Sequence, residues 1–162
     1  MTYASTFRRR FASALIALNL SVLAAGAGSA AEAPAPDRAR LRAAFQAYTD
    51  AWLPAPDGER LQHLKDSLAA GMTYQDASVR AEGVAGVDAM IARFQRQSPG
   101  VTLRLDDLLL WADHGLAKWS MMDPKGGLIM HGYDAVTYDP TGHIQSIVGF
   151  FDIPAQRQAA TR

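Results

Sequence analysis

Four stretches in the second half of the chain, residues 101–111, 116–122, 127–139 and 143–153, alternate apolar and polar residues and are rich in β-formers. They are separated by strong turn signals, Asp113-His114-Gly115, Asp123-Pro124-Lys125-Gly126 and Asp139-Pro140-Thr141-Gly142. Consecutive strands joined by such short turns have one economical arrangement, an antiparallel meander of hairpins. One face of that sheet must be buried, and the covering must come from the residues ahead of it.

Those residues have helical spacing. Leu41, Phe45, Tyr48 and Trp52 share one face of a helix that Pro54 and Pro56 stop, with Asp57-Gly58 as the following turn. A second helix turns Leu61, Leu64 and Leu68 inward, with Gly71 expected as its C-terminal cap. Residues 72–76 read as a short strand and 81–86 as a glycine-bearing loop. A third helix presents Val87, Met90, Ile91 and Phe94 on one side, and Ser98-Pro99-Gly100 ends it. Helices first and hairpins afterwards give an α+β domain: a cone-shaped curved antiparallel sheet with three N-terminal helices enclosing a pocket.

The start of the chain has another logic. Arg8, Arg9 and Arg10 precede an apolar stretch at residues 11–25 and then small residues, the pattern of a secretory signal. Residues 1–31 are therefore expected to be a cleaved signal peptide, with the product exported to a periplasm or secreted. Residues 32–37 form a proline-containing flexible lead-in, 38–153 the domain and 154–162 a C-terminal tail.

Setting aside the three arginines of residues 1–31 leaves 13 of the 16 basic residues against all 16 acidic ones. A mildly acidic body without a basic stripe argues against nucleic acid as a partner, and no membrane association is expected after signal cleavage. The chain has no cysteine, which excludes disulfides, thiolate nucleophiles and zinc–thiolate sites. His63, His114, His131 and His143 are scattered, so no metal site is expected.

In the strand at 127–139, Leu128, Met130, Gly132, Asp134, Val136 and Tyr138 share the face expected to be the core. Asp134 is then a carboxyl group among apolar side chains, which must find partners or stay protonated. A hydrogen bond to a loop or to the indole of Trp119 is one reading and a functional acid is the other. Tyr48, on the buried face of the first helix, is either core packing or a pocket hydroxyl. Asp76 is either a turn aspartate or a second pocket acid.

The segment Tyr74-Gln75-Asp76 stands between the helices and the sheet. With it go residues 119–127 (WSMMDPKGG), Gly132-Tyr133-Asp134, residues 138–144 (YDPTGHI) and Gly149-Phe150-Phe151. In this order they resemble the nuclear transport factor 2-like superfamily, in its SnoaL-like and ketosteroid isomerase-like branches, over residues 38–153. The resemblance implies a role for three residues: Asp76 as general base, Tyr48 as an oxyanion-hole phenol and Asp134 as an acid held neutral by its surroundings, a device known from ketosteroid isomerase. Trp52, Tyr74, Phe94, Trp119, Met130 and Phe151 are expected to line or fill the pocket around a small hydrophobic ligand. No cofactor is expected. Three functions stay open: proton-transfer catalysis of isomerase or lyase type, non-catalytic binding of a small apolar ligand, and a homodimer or interaction module built on the outer sheet face through Ile129, Tyr133, Val148 and Phe150.

Overall fold

A computed structural model describes residues 37–151. The signal peptide expected at 1–31, nearly all of the lead-in and the tail expected at 154–162 lie outside the described residues. Helix α1 (Arg38–Asp50) begins where the Asp37 carboxylate accepts a hydrogen bond from the Ala39 N–H, an N-cap that satisfies an otherwise orphaned donor. Helix α2 (Asp57–Ser67) leads directly into β1 (Leu68–Gln75), followed by β2 (Arg80–Glu82) and α3 (Gly83–Gln97). The meander comprises β3 (Thr102–Trp111), β4 (His114–Met122), β5 (Leu128–Tyr138) and β6 (Ile144–Phe151).

The six strands form one sheet in the order β2-β1-β6-β5-β4-β3. The four meander strands pair antiparallel as expected. The sheet as a whole, however, is mixed, because β1 pairs parallel with β6. The chain leaves β1 through β2 and α3 and reaches β6 only after the whole meander, and that long crossover is what a parallel neighbour requires. The sheet is curved and unclosed, with β2 and β3 as its edges, consistent with the expected cone. Register shifts in β1/β6, β3/β4, β4/β5 and β5/β6 are the kind of irregularity that bends strands.

Four local expectations need correction. Gly71 is not a helix cap: α2 ends at Ser67, Leu68 is already extended (φ −106°, ψ 140°), and Gly71 lies inside β1. Residues 81–86 are not a loop, since β2 and the first turn of α3 occupy them, with Gly83 at φ +65° making the switch. Leu61 is only half-buried; its neighbour Arg60 is buried instead, ion-paired to Asp88 at 2.8 Å and Asp57 at 2.9 Å. Leu128, expected on the core face of β5, is exposed at the start of the strand.

Leu41, Phe45, Leu64, Met72, Val87, Ile91, Leu108, Val136, Tyr138, Ile144 and Ile147 make up the packed centre of the domain. Arg38 and Arg42 of α1 donate to the carbonyls of Leu110 (3.0 Å) and Leu108 (2.8 Å) on β3. These bonds fix the helix over the edge of the sheet and leave space between α1, α3 and the centre of β4–β6.

Candidate functional site

Two rows of residues across the sheet account for that space. In the first, pairing runs from Leu108 through Ala117 and Asp134 to Gly149. Asp134 thus lies between two very small residues on the inner face. In the second, Trp119 pairs with Gly132 and Gly132 with Phe151. The two aromatic rings meet across the glycine, centroids 5.8 Å apart. A β-carbon at Gly132 would stand 2.0 Å from Cζ2 of Trp119, so the indole occupies the room a side chain would take.

The result is a cavity of about 260 Å³. All nine residues picked out in the sequence line it: Tyr48, Asp76 and Asp134, with Trp52, Tyr74, Phe94, Trp119, Met130 and Phe151. The aromatics line the cavity rather than fill it. Trp52 packs edge-on against Tyr48 (6.2 Å) and Phe94 (5.4 Å), which makes a continuous aromatic wall from α1 to α3. Most of the lining is apolar, as in small-molecule sites generally.

Asp134 is 5% exposed. Its Oδ1 accepts the indole N–H of Trp119 at 3.0 Å, the partner anticipated from the strand pattern. Burial is the main influence on its carboxyl group; the Trp119 bond opposes it, the Asp76 charge adds to it, and the pKa is pushed up to about 7. A carboxyl held near neutrality is an acceptor through one oxygen and, when protonated, a donor through the other.

Asp76 immediately follows β1 and opens the turn to β2. Its Oδ1 accepts from the Ser78 N–H (2.6 Å), the Ser78 hydroxyl (2.8 Å) and the Val79 N–H (2.8 Å). Its Oδ2 accepts the Tyr74 hydroxyl at 2.9 Å. The turn aspartate and the pocket acid are therefore one residue: one oxygen shapes the turn and the other reaches the cavity wall. Tyr74 is a hydrogen-bond partner of the acid as well as a lining residue.

Gly149 brings these groups together. A β-carbon built there would lie 3.3 Å from Asp134 Oδ1, 3.3 Å from Asp76 Cβ and 3.4 Å from the Tyr74 hydroxyl. Tyr48 faces the same space from α1. Its phenol is raised well above the ordinary tyrosine value, by burial first, then by the Asp134 and Asp76 charges, against an opposing influence from Trp52. The Trp52 indole N–H lies beside that phenol but forms no hydrogen bond of ordinary geometry. Tyr48 therefore keeps its proton and serves as a hydrogen-bond donor rather than a phenolate.

Sequence reasoning passed over Gly149, Val79, Arg93 and Gln97, all except Gly149 being residues that line the cavity. The Asp76-x-Ser78 spacing is a turn signal that could have pointed to Val79; Arg93 and Gln97 carry no such mark. The four histidines stand apart. His131 is on the outer face of β5 with Nδ1 3.0 Å from the Ser120 hydroxyl, His63 is on α2, and His114 and His143 are beside hairpin turns.

No family model matches the chain, and no curated protein matches it in sequence. Solved structures do match. A candidate isomerase of the SnoaL-like family from Agrobacterium tumefaciens is 25% identical, with a TM-score of 0.66 over 71% of this chain and 99% of that one. A candidate SnoaL-like polyketide cyclase from Jannaschia is 15% identical, with a TM-score of 0.59 over 76% and 96%. A nuclear transport factor 2-like protein of unknown function from Cytophaga hutchinsonii is 13% identical, with a TM-score of 0.54 over 73% and 94%. The chain has the nuclear transport factor 2-like fold that these SnoaL-like structures share, with the apolar cavity between its helices and sheet.

Proposed function

We propose that the cavity catalyses cofactor-free proton transfer on a small, largely hydrophobic carbonyl compound. The observation that carries this reading is the pairing of unlike carboxyl groups in one apolar cavity. Asp134 is desolvated and held near neutrality, while Asp76 sits across Gly149 with its Oδ2 bonded only to Tyr74. A desolvated acid that keeps its proton, with a second carboxyl group beside it, can divide the roles of acid and base.

Asp76 Oδ2 removes a proton from the carbon next to the carbonyl. The electron pair moves onto the carbonyl oxygen, and the enolate oxygen accepts hydrogen bonds from the Tyr48 phenol and protonated Asp134. Asp76 returns the proton to another carbon, which completes an isomerisation. A positioned acid or base contributes ~10²–10⁴-fold, and an oxyanion donor about 3–4 kcal/mol. Among the structural neighbours one is named for isomerisation and one for polyketide cyclisation; carbon–carbon cyclisation of a polyketide also begins from an enolate.

The test is exchange of the protons next to the carbonyl of 2-tetralone in deuterated buffer, followed by NMR. The protein should accelerate exchange, and Asp76→Asn should lower the rate by about 10²-fold or more while ring binding persists. An Asp76→Asn rate equal to that of the unaltered protein overturns the assignment of the base.

A second reading, non-catalytic binding of an apolar ligand in the same cavity, is favoured by the four hydrogen bonds that engage Asp76, three in its turn and one from Tyr74. On that reading the unaltered protein binds 2-tetralone without promoting exchange. Export through residues 1–31 belongs to the proposal and rests on the arginines and apolar stretch of the sequence.

A further inference from the structure

The polar lining of the cavity is divided by charge. Asp134 on β5 and Asp76 at the end of β1 bring acid to the sheet side. On the opposite side α3 contributes Arg93 and Gln97. A separation of four residues places both on one face of that helix. Arg93 is the one lysine or arginine among the described lining residues. It is solvent-exposed, which puts it at the mouth, and it makes no ion pair among the described residues. Four other arginines have partners: Arg38 and Arg42 hold carbonyls of β3, Arg60 holds Asp88 and Arg104 holds Asp106.

We propose that Arg93, with the Gln97 amide beside it, binds the carboxylate of an amphipathic ligand whose apolar body lies among Trp52, Phe94, Met130 and Phe151. The inference rests on the pocket reading above and narrows its ligand to an apolar carboxylic acid. A guanidinium offers a planar fork of donors that fits the two oxygens of a carboxylate. A phosphate dianion would bring more charge and a third acceptor oxygen to a rim with a single cation. The deep end is closed to an anion, because Asp76 and Asp134 would oppose it in a poorly solvated space. An acid therefore enters in one direction only, carboxylate at the mouth and apolar end inward. A keto acid held this way presents its ketone to Tyr48 and Asp134.

The experiment compares binding of 2-naphthoate with that of its neutral isostere 2-naphthamide, followed by quenching of tryptophan emission at fixed neutral pH. The unaltered protein should prefer the acid by about tenfold, the scale of one partly exposed charge-assisted contact. Raising sodium chloride from about 0.05 to about 0.5 M should shrink that preference through screening. Arg93→Gln should abolish the preference while leaving the amide within about twofold, and Arg93→Lys should keep part of it. Equal binding of acid and amide by the unaltered protein overturns the inference and leaves the pocket reading standing. So does an equal loss of both ligands in Arg93→Gln. Failure to bind either ligand overturns the pocket reading and the inference together.

Discussion

Asp134 illustrates how a single substitution pattern in a strand becomes chemistry. Ala117 and Gly149 flank it, Trp119 takes one of its oxygens, and burial keeps its proton on to about pH 7. The unfolded chain releases that proton near the usual aspartate value of about 3.9. Between about pH 4 and 7 the unfolded state therefore binds fewer protons than the folded one, and stability falls as pH rises. Above about pH 7 this slope ends. The difference amounts to no more than about 4 kcal/mol. Asp134→Asn should remove this part of the slope, as read by denaturant unfolding between pH 4 and 8. Catalysis should follow the same proton. Exchange promoted by the unaltered protein should decline as pH rises through about 7, where Asp134 ceases to be a donor. In Asp134→Asn that decline should vanish, with a lower rate throughout.

At the scale of the element, the sheet makes the cavity by what its strands leave out. Gly132 accommodates the ring of Trp119, so Gly132→Ala should displace the indole, break its bond to Asp134 and destabilise the domain by about 1–3 kcal/mol. Thermal unfolding and the tryptophan emission spectrum would report both effects; an unchanged melting temperature would contradict the packing described. The elements with strong periodicity were legible beforehand: the α1 face from Leu41 to Tyr48, with Trp52 in the turn just past its end, the α3 face and all four meander strands. So was the inward parity of Asp134, with Trp119 as one of its two expected partners. The junction between α2 and β1 was not. Gly71 has the look of a cap, yet Leu68 pairs with Ile144 of β6 and is drawn into the sheet three residues earlier. A parallel partner more than seventy residues away leaves no local mark in the sequence. Gly149 and Arg93 escaped for a similar reason, since their importance comes from neighbours on other elements.

At the scale of the whole molecule, the outer face of the sheet carries an apolar patch on β5 and β6. Tyr133 and Phe150 are paired across β5 and β6, and Ala135 and Val148 continue the patch. Tyr133, Val148, Phe150 and Ile129 are all exposed. Apolar patches of this kind mark interaction surfaces, and we propose that two copies of the chain pair through this face as a homodimer. Tyr133→Glu should yield a monomer by light scattering without loss of the cavity's ligand binding, because the substituted side chain points away from the helices. A mass equal to that of the unaltered protein would remove this face from the assembly.

The role of Asp134 as a neutral acid beside Asp76 in one apolar cavity is tested most directly by a carbon-13 NMR titration of the Asp134 carboxyl, assigned through Asp134→Asn. The carboxyl should titrate near pH 7, and Trp119→Phe, which removes the N–H that favours the charged form, should move it higher. Titration in the ordinary aspartate range would show that Asp134 is a carboxylate at neutral pH, and the proton-transfer role assigned to it would fall.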